Sequence, residues 1–347
     1  MAIVVLKLKA VKRKREERPR ECPYCEGETF QRWGSVSKPV KDALVKRVKM
    51  YRYRCCHCRR TFRYYPDGIS RADQSERLKQ FAALCWTLGL SHRGVSFILS
   101  GWQVWLGHMS VWRDVQAEAD ARKRQNRKKS VRVLGVDGAS VLGWGEKQSV
   151  LVGVDLGDGQ VVALGYVDEH NPQAVRRWLA GLMKSLGVSV IVTDDLFTYH
   201  KVAEELNLGH QVCQFHVRRW VGSTLKALRE SVPKNRHWIL EEIEQLIDVL
   251  PPQGDKRLYA LWKQLGVRRA GRDKPRTSLE QLRDLLLRLA HAWQSYCTFQ
   301  SEPDVPWTNN ATERAIGRMK MRARTVRGYK TWFGMHNGLL IAGTSSD

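Results

Sequence analysis

The chain has 347 residues, 43% of them hydrophobic, which is enough for two or three soluble domains with proper cores. No run approaches the ~18 consecutive apolar residues of a membrane span, and the opening MAIVVLKLKAVKRKREERPR puts its apolar patch ahead of its charges, the reverse of a secretory signal. Fifty-nine Lys and Arg against 35 Asp and Glu leave a net charge of +24, a field that suits a polyanion and, at this size, nucleic acid.

The basic excess is uneven, with 19 basic and 7 acidic side chains in residues 1–70. Eight cysteines without an export signal do not suggest a disulfide scaffold, and their spacing suggests metal. Cys22-x-x-Cys25 and Cys55-x-x-Cys58 are two knuckles separated by 29 residues. Thiolates two apart on a tight turn can face one ion, and two such turns complete a tetrahedral site, so residues 20–66 read as a zinc ribbon holding one structural Zn2+. His57 can replace one thiolate, although the CxxC register fits better, and Cys56 reads as a bystander. Residues 29–54 alternate enough for two or three small strands. So short a stretch builds little core, and the metal would supply much of its stability.

Residues 71–120 read as helical. Asp73 offers an N-cap with Glu76 three residues on, and Leu78, Phe81, Ala82, Cys85 and Leu88 follow at helical period. Gly89-Leu90-Ser91 breaks that helix. A short helix through Val95 to Leu99 follows, then Gly101 and Gly107, then a third helix from about Ser110. This is a helix-turn-helix cadence. The third helix would enter a major groove with Ser110, Arg113, Asp114 and Gln116 near bases; the plainer alternative is a small helical bundle with Trp105 and Trp112 as its core.

Residues 121–130 read as a basic linker, and Arg122–Arg132 holds seven basic residues. The period then switches to two. Strands are expected at 131–137, 149–155 and 160–166, the last two joined at Gly157-Asp158-Gly159. A helix at 173–186, a buried strand at 188–193, a helix at 198–206 and a shorter strand at 210–215 follow. Three strands, then helix, strand, helix, strand is the order of a mixed, ribonuclease-H-like sheet. Residues 217–300 read as helical, interrupted at Pro251-Pro252 and around Gly271–Pro275, with a final helix at 309–325. The expected architecture is therefore multidomain α+β/α/β, with a catalytic domain at 131–216 and 306–330 and a helical insertion at 217–305.

Asp137 closes a buried strand, where a carboxylate is costly unless a cation or hydrogen bonds offset it. Asp194 and Asp195 follow a second buried strand, and Glu313 lies on the last helix behind Thr308-Asn-Asn-Ala-Thr. Asp137, Asp194 and Glu313, brought together, would hold two divalent ions ~3.5–4 Å apart for in-line phosphoryl displacement. Hard oxygen ligands suit Mg2+, and Mn2+ also fits. Asp195 can be the ligand in place of Asp194, or it can cap the next helix. Asp155 also ends a strand, but it enters a Gly-Asp-Gly hairpin that favours Asp for turn reasons. Asn309, Asn310, Glu313, Gly317 and Lys320 share one helix face. A phosphate backbone would lie against it, with Arg314, Arg318, Arg322 and Arg324 alongside; residues 311–330 hold seven basic side chains and the single acid Glu313.

These residues resemble the DDE-type insertion-sequence transposases and the mutator-like group over nearly the whole chain. Asp137 in VLGVDGAS matches the first acid, Asp194 in VIVTDD the second, and Glu313 in NNATERAIGRMK the third, with Lys320 at the DNA-contacting place seven residues on. Cys213-x-x-His216 in HQVCQFHVRR matches a Cys-x-x-His signature after the fifth strand. On their own, Cys213 reads as a core thiol and His216 as a helix-start cap; the resemblance assigns them DNA contact or support of the metal ligands. The 118 residues between Asp194 and Glu313 correspond to the helical insertion. The resemblance implies hydrolysis at the 3′ ends of an element and strand transfer into target DNA. It implies double-stranded DNA as partner, a homodimer or larger oligomer in the synaptic complex, and a prokaryotic, cytoplasmic, nucleoid-associated protein. The rivals are a structure-specific nuclease of the same fold and a non-catalytic regulator derived from a transposase; the presence of all three acids argues against the latter.

Overall fold

The computed structural model describes residues 8–14, 17–268 and 275–344, so the interruption expected around Gly271–Pro275 lies outside them except for Pro275. The chain divides into two compact units, one within Met1–Arg122 and Met321–Ile341, the other within Lys123–Lys320 and Ala342–Asp347. The expected segment 306–330 is thus divided at Lys320.

In the first unit, strands β1 (Phe30–Pro39), β2 (Arg47–Cys55) and β3 (Thr61–Tyr64) form an antiparallel sheet in that order. Its small core is aromatic: Phe30, Tyr53 and Phe62 pack with ring centroids 6.4, 5.5 and 6.1 Å apart. Helices α1 (Glu76–Thr87), α2 (His92–Gly101) and α3 (His108–Asn126) follow. The cap of α1 is Ser75, whose Oγ accepts from Leu78 N (3.2 Å), and not Asp73. Ser75 is preferred because its hydroxyl also donates to the buried Asp42 (2.5 Å) and so is fixed from both sides. Leu78, Ala82, Trp86, Val95, Leu99, Val111 and Val115 form the helical core. Trp105 and Trp112 do not, being 74% and 36% exposed. The third helix begins two residues earlier than expected and absorbs part of the expected linker.

In the second unit, β4 (Val133–Gly143), β5 (Glu146–Asp155) and β6 (Gln160–Gly165) form an antiparallel meander. Helix α4 (Pro172–Leu186), β7 (Val190–Thr193), α5 (Phe197–Leu206) and β8 (Gly209–Val212) follow, and the sheet order is β6-β5-β4-β7-β8. Strands β7 and β8 run parallel to β4, so the sheet is mixed. The apolar faces of α4 and α5 (Val175, Leu179, Tyr199, Val202) bury Leu134, Val136 and Ile191. The strand expected at 210–215 stops at Val212, because Cys213 is the N-cap of α6 (Gln214–Ser231).

Helices α7 (His237–Val249), α8 (Gly254–Leu265) and α9 (Ser278–Ser301) join α6 around Trp293 and Tyr296. Thr277 and Glu280 close a capping box on α9. Its far end returns to β8, where Thr298 Oγ1 donates to His210 O (2.6 Å) and Phe299 N donates to Gln211 Oε1 (2.9 Å). After α10 (Asn310–Thr325) comes α11 (Trp332–Gly343), a helix beyond the last one expected. Among the described residues no helix is long and apolar enough to cross a membrane.

Candidate active site

Strands β4 and β7 are parallel neighbours with Gly135 opposite Val192. Two residues farther along each chain come Asp137, still within β4, and Asp194, the residue that follows β7. Burial first, then the charges of Asp194, Glu169 and Glu313, push Asp137 up to about 7, although Gly138 N donates to its Oδ1 (2.7 Å). Asp194 is also raised, by burial and then by Glu169, while Leu196 N–H and His216 act against the rise. Like charges gathered in a poorly hydrated place raise one another in this way.

The doublet divides its labour. Asp195 takes a short contact set of its own: His200 Nε2 lies 2.8 Å from Oδ1, Arg288 Nη2 donates to Oδ2 (2.7 Å), and Tyr296 OH donates to both oxygens (3.3 and 3.4 Å). Its side chain is 6% exposed, and it ties α5 and α9 to the end of β7. Asp194 instead acts on Asp137, and both acids of the doublet, with His216, Arg219, Trp220, Ser223 and Arg288, line a cleft of about 620 Å³.

Glu313 arrives on a helix whose start is fixed to the sheet. Asn309 Nδ2 donates to Val136 O (3.0 Å), Asn309 N donates to Cys213 Sγ (3.3 Å), and Gln214 N donates to Trp307 O (2.9 Å). Gly135 makes this docking feasible: a Cβ there would lie 2.2 Å from Thr312 Oγ1 and 2.6 Å from Asn309 Oδ1. Asn309 is therefore buried against β4 and does not share the exposed face expected for it, while Asn310 is exposed. Asn309 Oδ1 and Thr312 Oγ1 are buried without a hydrogen-bond partner. His216, one turn into α6, donates from Nε2 to Glu313 Oε1 (2.9 Å). Donor atoms of Cys213, His216 and Glu313 all lie within 4.8 Å of one another, a set that could hold a metal ion; neither Asp137 nor Asp194 joins that tight group.

Sequence reasoning missed Glu169. It sits between β6 and α4, accepts from Tyr199 OH (3.2 Å), and enters the electrostatics of Asp137, Asp194 and Tyr199. An acid of the Asp168-Glu169 pair, just ahead of Asn171-Pro172, looks like helix-start chemistry, and nothing in its spacing separates it from that role.

On α10, Arg314 and Lys320 are exposed, and a Cβ on Gly317 would meet nothing within 4 Å. Arg318 donates to Gly343 O (2.5 Å). Arg322 is 1% exposed, stacked 3.9 Å above the Trp86 ring and donating to Leu90 O (3.2 Å), so it is a core cation and does not lie along a solvent face. On α3, Arg113 is exposed and Ser110 half-buried. Asp114 is buried and accepts from Gln74 (2.7 Å), and Gln116 Oε1 accepts from Asn337, so neither is free to meet bases as expected.

Cys22, Cys25, Cys55 and Cys58 converge, with Sγ–Sγ distances of 3.7 Å for Cys22–Cys58 and 3.6 Å for Cys25–Cys55, and could hold one metal ion. His57 is exposed and stays outside the group. The backbone N–H groups of Cys58 and His57 hold Cys55 down at about 6.

A family model described as "Transposase IS66 family" matches residues 146–337. No curated protein matches the chain. A solved structure titled "Crystal structure of catalytic core domain of BIV integrase in crystal form I" is similar over 46% of this chain and 83% of that chain, at 11% identity and a TM-score of 0.20.

Proposed function

The chain belongs to the IS66 family of transposases, and on that premise we propose that it is a DDE-type polynucleotidyl transferase that binds the ends of an insertion element and catalyses their hydrolysis and strand transfer. The observation that carries this reading is the parallel pairing of β4 with β7 next to Asp137 and Asp194, with Asp194 and Glu313 both close enough to perturb Asp137. The sheet order β6-β5-β4-β7-β8 supports a ribonuclease-H-like catalytic domain interrupted by the α6–α9 insertion.

The donors fit hard divalent cations: all three are carboxylates, and buried, unpartnered oxygens of Asn309 and Thr312 lie at the start of the helix that carries Glu313. Asp137, Asp194 and Glu313 would hold two magnesium ions, which when bound activate an attacking oxygen and stabilise the leaving one. His216 fixes the Glu313 carboxylate, and Cys213 with Asn309 fixes the start of its helix. Lys320 and Arg314 extend from the same helix toward solvent, suited to the phosphates on either side of the reacting one. Arg318, bonded to Gly343 O, would reach phosphate only by giving up that bond. The four-cysteine cluster would hold one structural zinc in a ribbon, and α1–α3 would form a helix-turn-helix in which Arg113, with Ser110 beside it, meets base edges. The working form is a homodimer or larger oligomer on DNA, at the prokaryotic nucleoid.

The test is end nicking and strand transfer on the element's terminal DNA with magnesium. Asp137→Asn, Asp194→Asn and Glu313→Gln should each abolish both steps and leave DNA binding intact. Asp195→Asn should keep residual cleavage while lowering stability, because Asp195 ties α5 and α9 to β7. Loss of cleavage in Asp195→Asn with retention in Asp194→Asn would overturn the assignment.

A further inference from the structure

We infer that Glu169 is a fourth carboxylate of this site, a direct ligand to one of the divalent cations held by Asp137, Asp194 and Glu313. The inference rests on the metal-dependent reading above and adds to it a residue from a different part of the fold.

Two independent features bring Glu169 to the cations. The first is the backbone of β4. A Cβ at Gly138 would lie 2.1 Å from Glu169 Oε2 and 2.3 Å from its Cδ, so the carboxylate rests directly on the strand beside Asp137, in space that any side chain would take. The loop that delivers it is fixed on both sides: Asp168 Oδ1 accepts from His170 N (3.0 Å), and Asn171 Oδ1 caps α4 by accepting from Ala174 N (3.1 Å). The second is Tyr199, which is fully buried and gives its hydroxyl to Glu169 Oε2 (3.2 Å). That bond orients the carboxylate and satisfies one oxygen only.

Among the described residues no Lys or Arg forms an ion pair with Glu169, Asp137 or Asp194. In a basic chain of +24, three neighbouring carboxylates that no Lys or Arg among the described residues pairs with are a place kept for an outside cation. A purely structural Glu169 would need only its bond to Tyr199, which a neutral amide also makes. A ligand needs the charge.

The experiment is Mn2+ titration of the full chain followed by electron paramagnetic resonance, which counts free ion without reference to catalysis. Glu169→Gln, which keeps an oxygen for Tyr199, should weaken Mn2+ binding at least tenfold, whereas Tyr199→Phe, which removes the hydroxyl and keeps the charge, should change it far less. Equal binding by Glu169→Gln and the wild type would overturn the inference, as would a loss in Tyr199→Phe as large as in Glu169→Gln. Asp137→Asn separates the two levels of argument. If it loses Mn2+ while Glu169→Gln does not, Glu169 alone fails; if it also binds as the wild type does, the metal-dependent reading fails and Glu169 with it.

Discussion

Replacing Asp137 with Asn should stabilise the metal-free protein. The amide keeps the shape and an oxygen for Gly138 N–H, and removes a charge set among Asp194, Glu169 and Glu313. Burial and those charges raise Asp137 from 3.8 to about 7, and at 1.36 kcal/mol per pH unit the ionised carboxylate costs about 4 kcal/mol near pH 8. The sign follows from the folded value lying above the unfolded one. The native state holds its proton longer, so stability is full below pH ~4, falls as pH climbs to about 7, and stays low above it. For a unit of this size about 4 kcal/mol is on the order of 10 °C in Tm. Thermal melts of wild type and Asp137→Asn in EDTA, taken from pH 5 to about 8, should diverge as pH rises. Added Mg2+ should then raise the wild-type Tm and leave the variant nearly unmoved. A variant that melts at or below the wild type in EDTA near pH 8, or gains as much from Mg2+, refutes the picture of a repulsive carboxylate group awaiting a cation.

Cys22→Ser or Cys58→Ser should release one equivalent of zinc and unfold β1–β3 while leaving the β4–β8 sheet folded, read by metal analysis and limited proteolysis; purified protein without zinc would rule out the site. Lys320→Ala should weaken binding to cognate and scrambled DNA alike and make the slope of log K against log salt shallower by about one. Arg113→Ala should cost about 1–3 kcal/mol on the cognate end only, and a reversed pattern would exchange the roles of the two helices.

The elements of the second unit were legible because burial and period agreed. Val133–Val136 and Val190–Thr193 are apolar runs followed by acids, and a buried acid there is too costly to be incidental; Asp137 does not close its strand as expected, because residues 138–143 go on pairing with β5. The different surroundings of Asp194 and Asp195 were not legible, since the contacts of Asp195 run to Arg288 and Tyr296, about a hundred residues away. Glu169 was hidden for a similar reason: its partner is a missing side chain, Gly138, and one sequence does not mark which glycines leave room for what. Trp105 and Trp112 show the limit of equating aromatic residues with core, because the bundle closes around Trp86 with Arg322 over its ring.

The late place of Glu313 in the chain also sets a clock. It emerges 119 residues after Asp194, about 6–24 s at typical rates of synthesis. By then the β4–β8 sheet and the α6–α9 bundle each have a hydrophobic cluster of their own to close upon. A growing chain therefore carries its paired aspartates for many seconds without the third acid. The nascent protein can begin to fold, yet under the proposed function it could not cut DNA until the bundle has left the ribosome and the Asn309 turn has docked on β4.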